Sequence, residues 1–268
     1  MTNSDASFAG SIPGIYHSSL GPMFFEPYAR DIAKRLTAQT GDTILEIAAG
    51  TGIVTRHLLE RLPSGSQLIA TDLNDAMIEI GKTHTGLDPR LRWEQADAAA
   101  LPFPDVSIDG IVCQFGLMFF PDKVAALREA RRVLKPGGAL LFNTWGALAD
   151  NPIAQCAHDV IASFFQTDPP QFFTVPFGLH DKELVKQILR DAGFTSVNVD
   201  GVDENGTSAT ALVAAKGLIY GTPVINQIQE RGRSAPDAIM QAVADRLSRA
   251  GGAQPLRLPM RALVFTAS

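Results

Sequence analysis

Apolar positions along this chain recur with two periods that alternate. Phe25, Tyr28, Ala29, Ile32, Ala33 and Leu36 return at the spacing of one helix face, which predicts an amphipathic helix over 25–38 that stops before Gly41. Short, nearly unbroken apolar runs then interleave with amphipathic stretches. They predict strands over 43–48, 67–72, 91–95, 108–114 and 138–144, and helices over 53–62, 74–84 and 122–134. Strands covered on both faces have no polar side to show, so this alternation predicts an α/β fold with a Rossmann-like, doubly wound, mostly parallel sheet. Asp122 after Pro121 reads as a helix cap, and Pro136-Gly137-Gly138 breaks the chain ahead of the next strand. After Trp145 the pattern changes: 151–165 reads as helix, 168–177 is rich in proline and phenylalanine, and 181–192 is a helix closed by Gly193. A strand over 195–200, helical stretches over 208–219 and 235–249, and a last strand over 259–266 complete the pattern.

The connection after the first of these strands carries the chemistry. Ile44-Leu45-Glu46-Ile47-Ala48-Ala49-Gly50-Thr51-Gly52 joins an apolar strand holding one acidic residue to a turn of small residues and then a helix. Small residues there let a ligand approach backbone, glycine permits positive φ, and the helix N-terminus faces whatever sits on the turn. A dinucleotide site requires a third small residue where Thr55 stands, which argues against a nicotinamide cofactor.

Read as acidic-x-[Gly/Ala]-x-Gly-x-Gly, the positions Glu46, Ala48, Gly50 and Gly52 fit, and with them the chain resembles the class I S-adenosylmethionine-dependent methyltransferases. Ala48 stands where glycine is commoner. The second strand ends in Asp72, 20 residues beyond Gly52, at the sheet edge where open α/β sheets bind ligands. A carboxylate there can accept both hydroxyl protons of a ribose; the competing role is to cap the helix that begins near Asn74, although Asn74 can do that itself. In the resemblance Leu73 and Met77 cover adenine, Asp97 accepts from its amino group and the Ala98 backbone reads a ring nitrogen. Taken alone, Asp97 is equally an ordinary turn aspartate. Gln114 and Phe115, at the end of the fourth strand, fall beside the methionine part, and Tyr16 belongs to an N-terminal segment that closes over the cofactor. Arg132-Val133-Leu134-Lys135-Pro136-Gly137-Gly138 is most similar to the branch of ubiquinone and menaquinone biosynthesis methyltransferases. The resemblance implies the sheet order 3-2-1-4-5-7-6 with an antiparallel last strand and a helical cap insertion. It also implies S-adenosylmethionine as cofactor, with S-adenosylhomocysteine as product. One domain over 1–268 is expected: an N-terminal lid and helix (1–40), a cofactor-binding half (41–145), and cap or substrate insertions at 146–180 and 205–255.

Nine of the fifteen phenylalanines fall between Phe115 and Phe177, which suggests an apolar chamber for a small apolar or aromatic acceptor; packing of the cap is the competing explanation. No catalytic residue is assigned. His17 and His180 are the candidate bases, each better read as a surface or helix-capping histidine. The net charge of −5, with no basic run longer than two residues, removes the electrostatic footprint of a nucleic-acid binder. Asp168-Pro169-Pro170-Gln171 is similar to a motif of amino-group DNA methyltransferases but follows the fifth strand and lacks the stacking aromatic. Cys113, on an apolar strand, reads as a small hydrophobe, and with Cys156 as a free thiol. No metal-ligand spacing occurs. Without a leader in 1–14 or an apolar run near ~20 residues, no membrane span and a cytoplasmic location are expected. Oligomeric state is open, a homodimer being the assembly considered. An accessory protein that binds the cofactor without methyl transfer is the alternative function, and a nicotinamide oxidoreductase a third.

Overall fold

The computed structural model describes residues 8–232 and 235–268, so part of the leader reading over 1–14 lies outside the described residues. The helices, in chain order, are α1 (Ile12–Ile15), α2 (Glu26–Arg35), α3 (Ile53–Arg61), α4 (Asp75–Thr85), α5 (Lys123–Val133), α6 (Pro152–Ser163), α7 (Lys182–Asp191), α8 (Ala211–Tyr220), α9 (Val224–Arg231) and α10 (Pro236–Gly251). The strands are β1 (Thr43–Ile47), β2 (Gln67–Asp72), β3 (Leu91–Gln95), β4 (Ile108–Gln114), β5 (Leu134–Trp145), β6 (Val197–Ser208) and β7 (Leu256–Ala267). They form one sheet in the order β3-β2-β1-β4-β5-β7-β6, parallel from β3 to β5, with β7 antiparallel to both neighbours. This is the order the resemblance implies.

Two hydrophobic layers hold the sheet. One face, with Ile44, Leu68, Val112 and Leu141, packs on α2 through Ala29, Ile32 and Ala33 and on α3 through Val54, Leu58 and Leu59. The other, with Leu45, Ile69, Ile111 and Leu140, packs on Ala126, Leu127 and Ala130 of α5. Alternation along each strand then fixes what else each face carries. Glu46 pairs in register with Ala70 and Val112, and Gln114 with Asn143. Asp72, Glu46, Gln114 and Asn143 therefore project from the same face, at the carboxyl edge of four neighbouring strands.

The caps follow local chemistry. The Asp122 side chain accepts from Ala125 N, and that of Asp181 from Glu183 N and Leu184 N, while Gly193 takes φ +96° after α7.

The structure departs from the pattern in four places. β5 begins at Leu134, so Pro136-Gly137-Gly138, expected to break the chain ahead of the strand, lies inside it, accommodated by a shift in the pairing with β4 between Ile108 and Gly110. The helix expected over 25–38 covers Glu26–Arg35, and a π-helical segment, Tyr16–Phe25, runs into it from α1. Pro22 lies inside that segment; it has no N–H to donate and crowds the carbonyl four residues back, and a wider turn relieves the crowding. β6 extends to Ser208, because its polar residues Asp200, Asp203 and Glu204 belong to a half-exposed strand with no continuous apolar run to announce it. α9 was not foreseen: at eight residues it is too short for its spacing to stand out.

Candidate active site

The turn after β1 is built around left-handed backbone. Ala48, Gly50 and Gly52 have φ of 56°, 57° and 79°, a region costly for residues with a Cβ. A Cβ on Gly52 would lie 2.9 Å from Thr85 Cγ2 and 3.3 Å from Trp93 Cζ2, so α4 and β3 close over that position. Glycine is thus enforced by both conformation and space at Gly52, whereas Ala48 holds its conformation under strain. Opposite Ala48 the chain is bare: a Cβ on Gly116 would come within 2.6 Å of Ala48 Cβ.

Asp72 ties this turn to the next element. Its Oδ2 accepts from Gly50 N at 2.8 Å and its Oδ1 from Asn74 N at 2.9 Å, and burial pushes its pKa up from the usual carboxylate range. Both readings of Asp72 are therefore half present: it sits at the sheet edge, and it also binds backbone at the start of α4. Asn74 does not cap α4 with its side chain; its Nδ2 faces Asp72 Oδ1 at 3.4 Å.

Beside Asp72 the polar stripe holds buried atoms with nothing to bind. Glu46 is 1 % exposed, its Oε2 has no partner, and burial, reinforced by the Asp72 carboxylate, pushes its pKa up to about 8. Gln114 donates from Nε2 to Phe25 O at 3.3 Å, while its Oε1 is buried without a partner. Asn143 Oδ1 accepts from Phe115 N at 2.9 Å and its Nδ2 has no partner. Two orphaned acceptors on adjacent strands suit a ligand group rich in donors, an ammonium above all.

Around the stripe, Leu73 is 57 % exposed next to Asp72, and Met77 is buried with its Cε 3.5 Å from where a Gly50 Cβ would lie. Ala96 N donates to Asp72 O and Gln95 Nε2 to Leu73 O, so the loop after β3 adjoins β2's end. In it Ala98 is buried, and exposed Asp97 accepts from Ala99 N at 2.8 Å, an ordinary turn bond. The N-terminal segment crosses the glycine turn: His17 Nδ1 lies 2.9 Å from Thr51 Oγ1, and its ring stacks on His84 at 3.6 Å. Tyr16 stacks on Phe25 at 4.8 Å, and burial together with the Asp72 carboxylate holds its phenol protonated.

Past Phe115 the stripe gives way to aromatic walls. Phe115, itself at φ 52°, stacks flat on Trp145 at 3.8 Å, with Tyr28 edge-on to both. A cleft opens here, enclosing about 550 Å³ with open solvent included, lined by Phe115, Phe119, Trp145, Phe172, Phe173 and Phe177 and, from the N-terminal segment, by Phe8, Tyr16, Leu20, Phe24 and Phe25. Five of the nine phenylalanines thus border a chamber, while Phe120, Phe142, Phe164 and Phe165 are not among its walls. His180 does not border it, and its Nδ1 pairs with Phe177 O. Cys113 is buried, with its thiol pushed up to about 12 by burial, and is no nucleophile. Asp168 pairs with Arg231 at the surface. Asn143, Trp145, Thr51 and His84 were not among the expected site residues; only the strand register and the path of the N-terminal segment bring them here.

The chain matches the family model described as "Methyltransferase domain" over residues 45–142. It is 33% identical over 183 residues to the ubiquinone/menaquinone biosynthesis C-methyltransferase UbiE of Shewanella frigidimarina, covering 62% of this chain and 72% of that one. Among solved structures it is similar in fold to Haemonchus contortus phosphoethanolamine N-methyltransferase 2, in complex with phosphomonomethylethanolamine and S-adenosylhomocysteine. The TM-score is 0.62 at 17% identity, covering 98% of this chain and 59% of that one. It is also similar to the [4+2]-cyclase SpnF, with a TM-score of 0.60 at 19% identity over 96% of this chain and 93% of that one. Among the described residues no helix is long and apolar enough to cross a membrane. Sequence likeness and sheet order agree: the chain belongs to the class I S-adenosylmethionine-dependent methyltransferases, in their UbiE-like branch, and S-adenosylmethionine is its cofactor.

Proposed function

We propose that this methyltransferase acts on a small, uncharged aromatic molecule held in the chamber, with the polar stripe as the seat of the cofactor. The observation that carries the acceptor class is the chamber wall: among the described residues, no lysine, arginine, histidine or carboxylate lines it. A charged acceptor would be desolvated there without a counter-charge. The relative's name, a C-methyltransferase of ubiquinone and menaquinone biosynthesis, supports a ring carbon as the methylated atom.

When bound, the cofactor supplies an electrophilic methyl group on a sulfonium. Glu46 Oε2 and Gln114 Oε1 are the acceptors free for its ammonium, and Asp72 Oδ2, which accepts from Gly50 N, keeps a lone pair for a ribose hydroxyl, whereas Oδ1 already faces both the N–H and the Nδ2 of Asn74. Ala48, Gly50 and Gly52 offer backbone alone. Leu73, Met77 and Ala98 suit the faces and edge of adenine, with exposed Asp97 beside them for its amino group. Tyr16 and Phe115 stand between stripe and chamber. The chain contributes alignment and dryness, through the N-terminal segment above and the Phe115–Trp145 stack beside it. Among the described residues no general base lines the chamber, so the proton that a methylated ring carbon gives up passes to water. With a net charge of −5, nucleic acid is not the acceptor we favour.

A methyl-release assay with S-adenosylmethionine across phenols, hydroquinones, amines and fatty acids tests this reading. Turnover is expected with neutral oxygenated arenes. Turnover confined to amines or fatty acids would contradict it.

A further inference from the structure

Fifteen of the described residues line the chamber, and of these only Tyr16, Trp145 and Thr222 carry a polar side-chain group. Thr222 is committed, donating from Oγ1 to Leu218 O at 2.9 Å. The Tyr16 hydroxyl and the Trp145 indole N–H make no hydrogen bond with any described residue, and neither is among the buried polar atoms sealed from open space. Trp145 is 4 % exposed, so its nitrogen keeps an opening although almost all of the ring is covered. A donor in an aromatic wall, neither bonded to protein nor sealed, is a group that a ligand can complete.

Both donor-bearing rings adjoin Phe25. Phe25 stacks on Tyr16 at 4.8 Å and lies 6.2 Å from Trp145. Tyr16 also feels the Asp72 carboxylate, which places it where the stripe meets the chamber. Trp145 ends β5 and is stacked on Phe115, the residue after β4, so both rings are held at the sheet's edge. The polar groups that this chamber holds ready are therefore donors at its cofactor end. The indole N–H can only donate, and the phenol keeps its proton in this setting.

Resting on the acceptor reading above, we propose that Tyr16 and Trp145 determine acceptor specificity by touching it: their O–H and N–H donate to oxygen carried by the acceptor ring and turn that edge of the ring toward the polar stripe. An arene of the same size without oxygen leaves both donors unpaired on desolvation and is rejected. The preference is thereby for an oxygenated arene over a hydrocarbon of equal shape.

The test compares 1-naphthol with 1-methylnaphthalene, binding to the full chain saturated with S-adenosylhomocysteine and followed by calorimetry. Wild type is expected to bind the naphthol about tenfold more tightly, as two hydrogen bonds of ordinary net strength imply. Tyr16→Phe, which keeps the stacked ring, should weaken naphthol about fivefold and leave methylnaphthalene unchanged. Trp145→Phe gives a second reading, scored by the ratio of the two affinities so that loosened packing, which weakens both ligands, cancels. Equal affinities in wild type, or ratios unmoved in both variants, would overturn the proposal and leave the aromatic chamber standing. Failure of both arenes to bind wild type would overturn the acceptor reading and this proposal together.

Discussion

The polar stripe that we assign to the cofactor and the aromatic chamber meet at Phe115, yet they are built in opposite ways. The stripe is made of strand ends: Glu46, Asp72, Gln114 and Asn143 stand on four neighbouring strands, in one register and on one face. Its precision comes from the sheet, and its key contacts use backbone, as where Asp72 fixes the N–H groups of Gly50 and Asn74. The chamber is gathered from Phe8 to Thr222, from the N-terminal segment, the loop after β4, the end of β5, α6 and the segment that follows it, and α8. Its walls share only apolarity. Rigid polar positions suit one unchanging ligand, and apolar walls on loops and helices can be recut for many acceptors without disturbing the sheet.

If that contrast holds, the largest effect should come from filling the backbone cradle. Gly50→Val places a branched side chain at φ +57°. It should remove measurable S-adenosylhomocysteine binding by calorimetry and also lower stability by about 1–2 kcal/mol, because left-handed backbone is costly for a β-branched residue. Retained affinity in a folded variant would mean that the ligand does not approach this turn.

Asp72→Asn should weaken cofactor binding by about 2 kcal/mol, the scale of a lost charge-assisted bond. Because Asp72 also accepts from Gly50 and Asn74, a fall in melting temperature equivalent to about 1 kcal/mol should accompany it. A lowered melting temperature with an unchanged dissociation constant would remove Asp72 from the cofactor's contacts and leave it as a fastener.

Glu46 sharpens the comparison through protons. Its pKa stands at about 8 against an ordinary 4.5. A carboxyl raised on folding favours the folded state in its protonated form, so its contribution is retained below pH 4.5 and declines as pH rises through 4.5 toward 8. An ammonium bound at Oε2 favours the charged carboxylate, so cofactor binding at pH 7 should release a proton, and affinity should rise about tenfold from pH 6 to 8. Calorimetry in buffers of different ionisation enthalpy counts that proton. Glu46→Gln should show none, and an unchanged proton count in that variant would place the ammonium elsewhere.

Ala48→Gly is the smallest expected effect. Relief of strain at φ 56° outweighs the added freedom of the unfolded chain only slightly, so stability should rise by about 0.5 kcal/mol, visible in urea unfolding. A loss of stability would show that packing of the Ala48 methyl against Gly116 matters more than the backbone.

The same contrast explains what could be read from the sequence. The stripe was legible because strand, turn and carboxylate are close together in the chain, and because Glu46, Gly50, Gly52 and Asp72 keep spacings fixed by sheet geometry. Asn143 escaped notice because its neighbour in the stripe, Gln114, is a register partner and not a sequence neighbour. The chamber showed only as a density of phenylalanine. Phe8, Tyr16, Phe24 and Phe25 join its wall because the π-helical segment turns back over the sheet, and no local spacing announces such a path. Asp97 was legible as a turn residue and as a ligand contact alike, and the turn bond to Ala99 N is the one present.

Titration of the full chain with S-adenosylhomocysteine, in parallel with NAD, tests the central assignment most directly. One saturable site for S-adenosylhomocysteine, lost in Gly50→Val and absent for NAD, is the predicted result. Saturable NAD binding with no response to S-adenosylhomocysteine would contradict it.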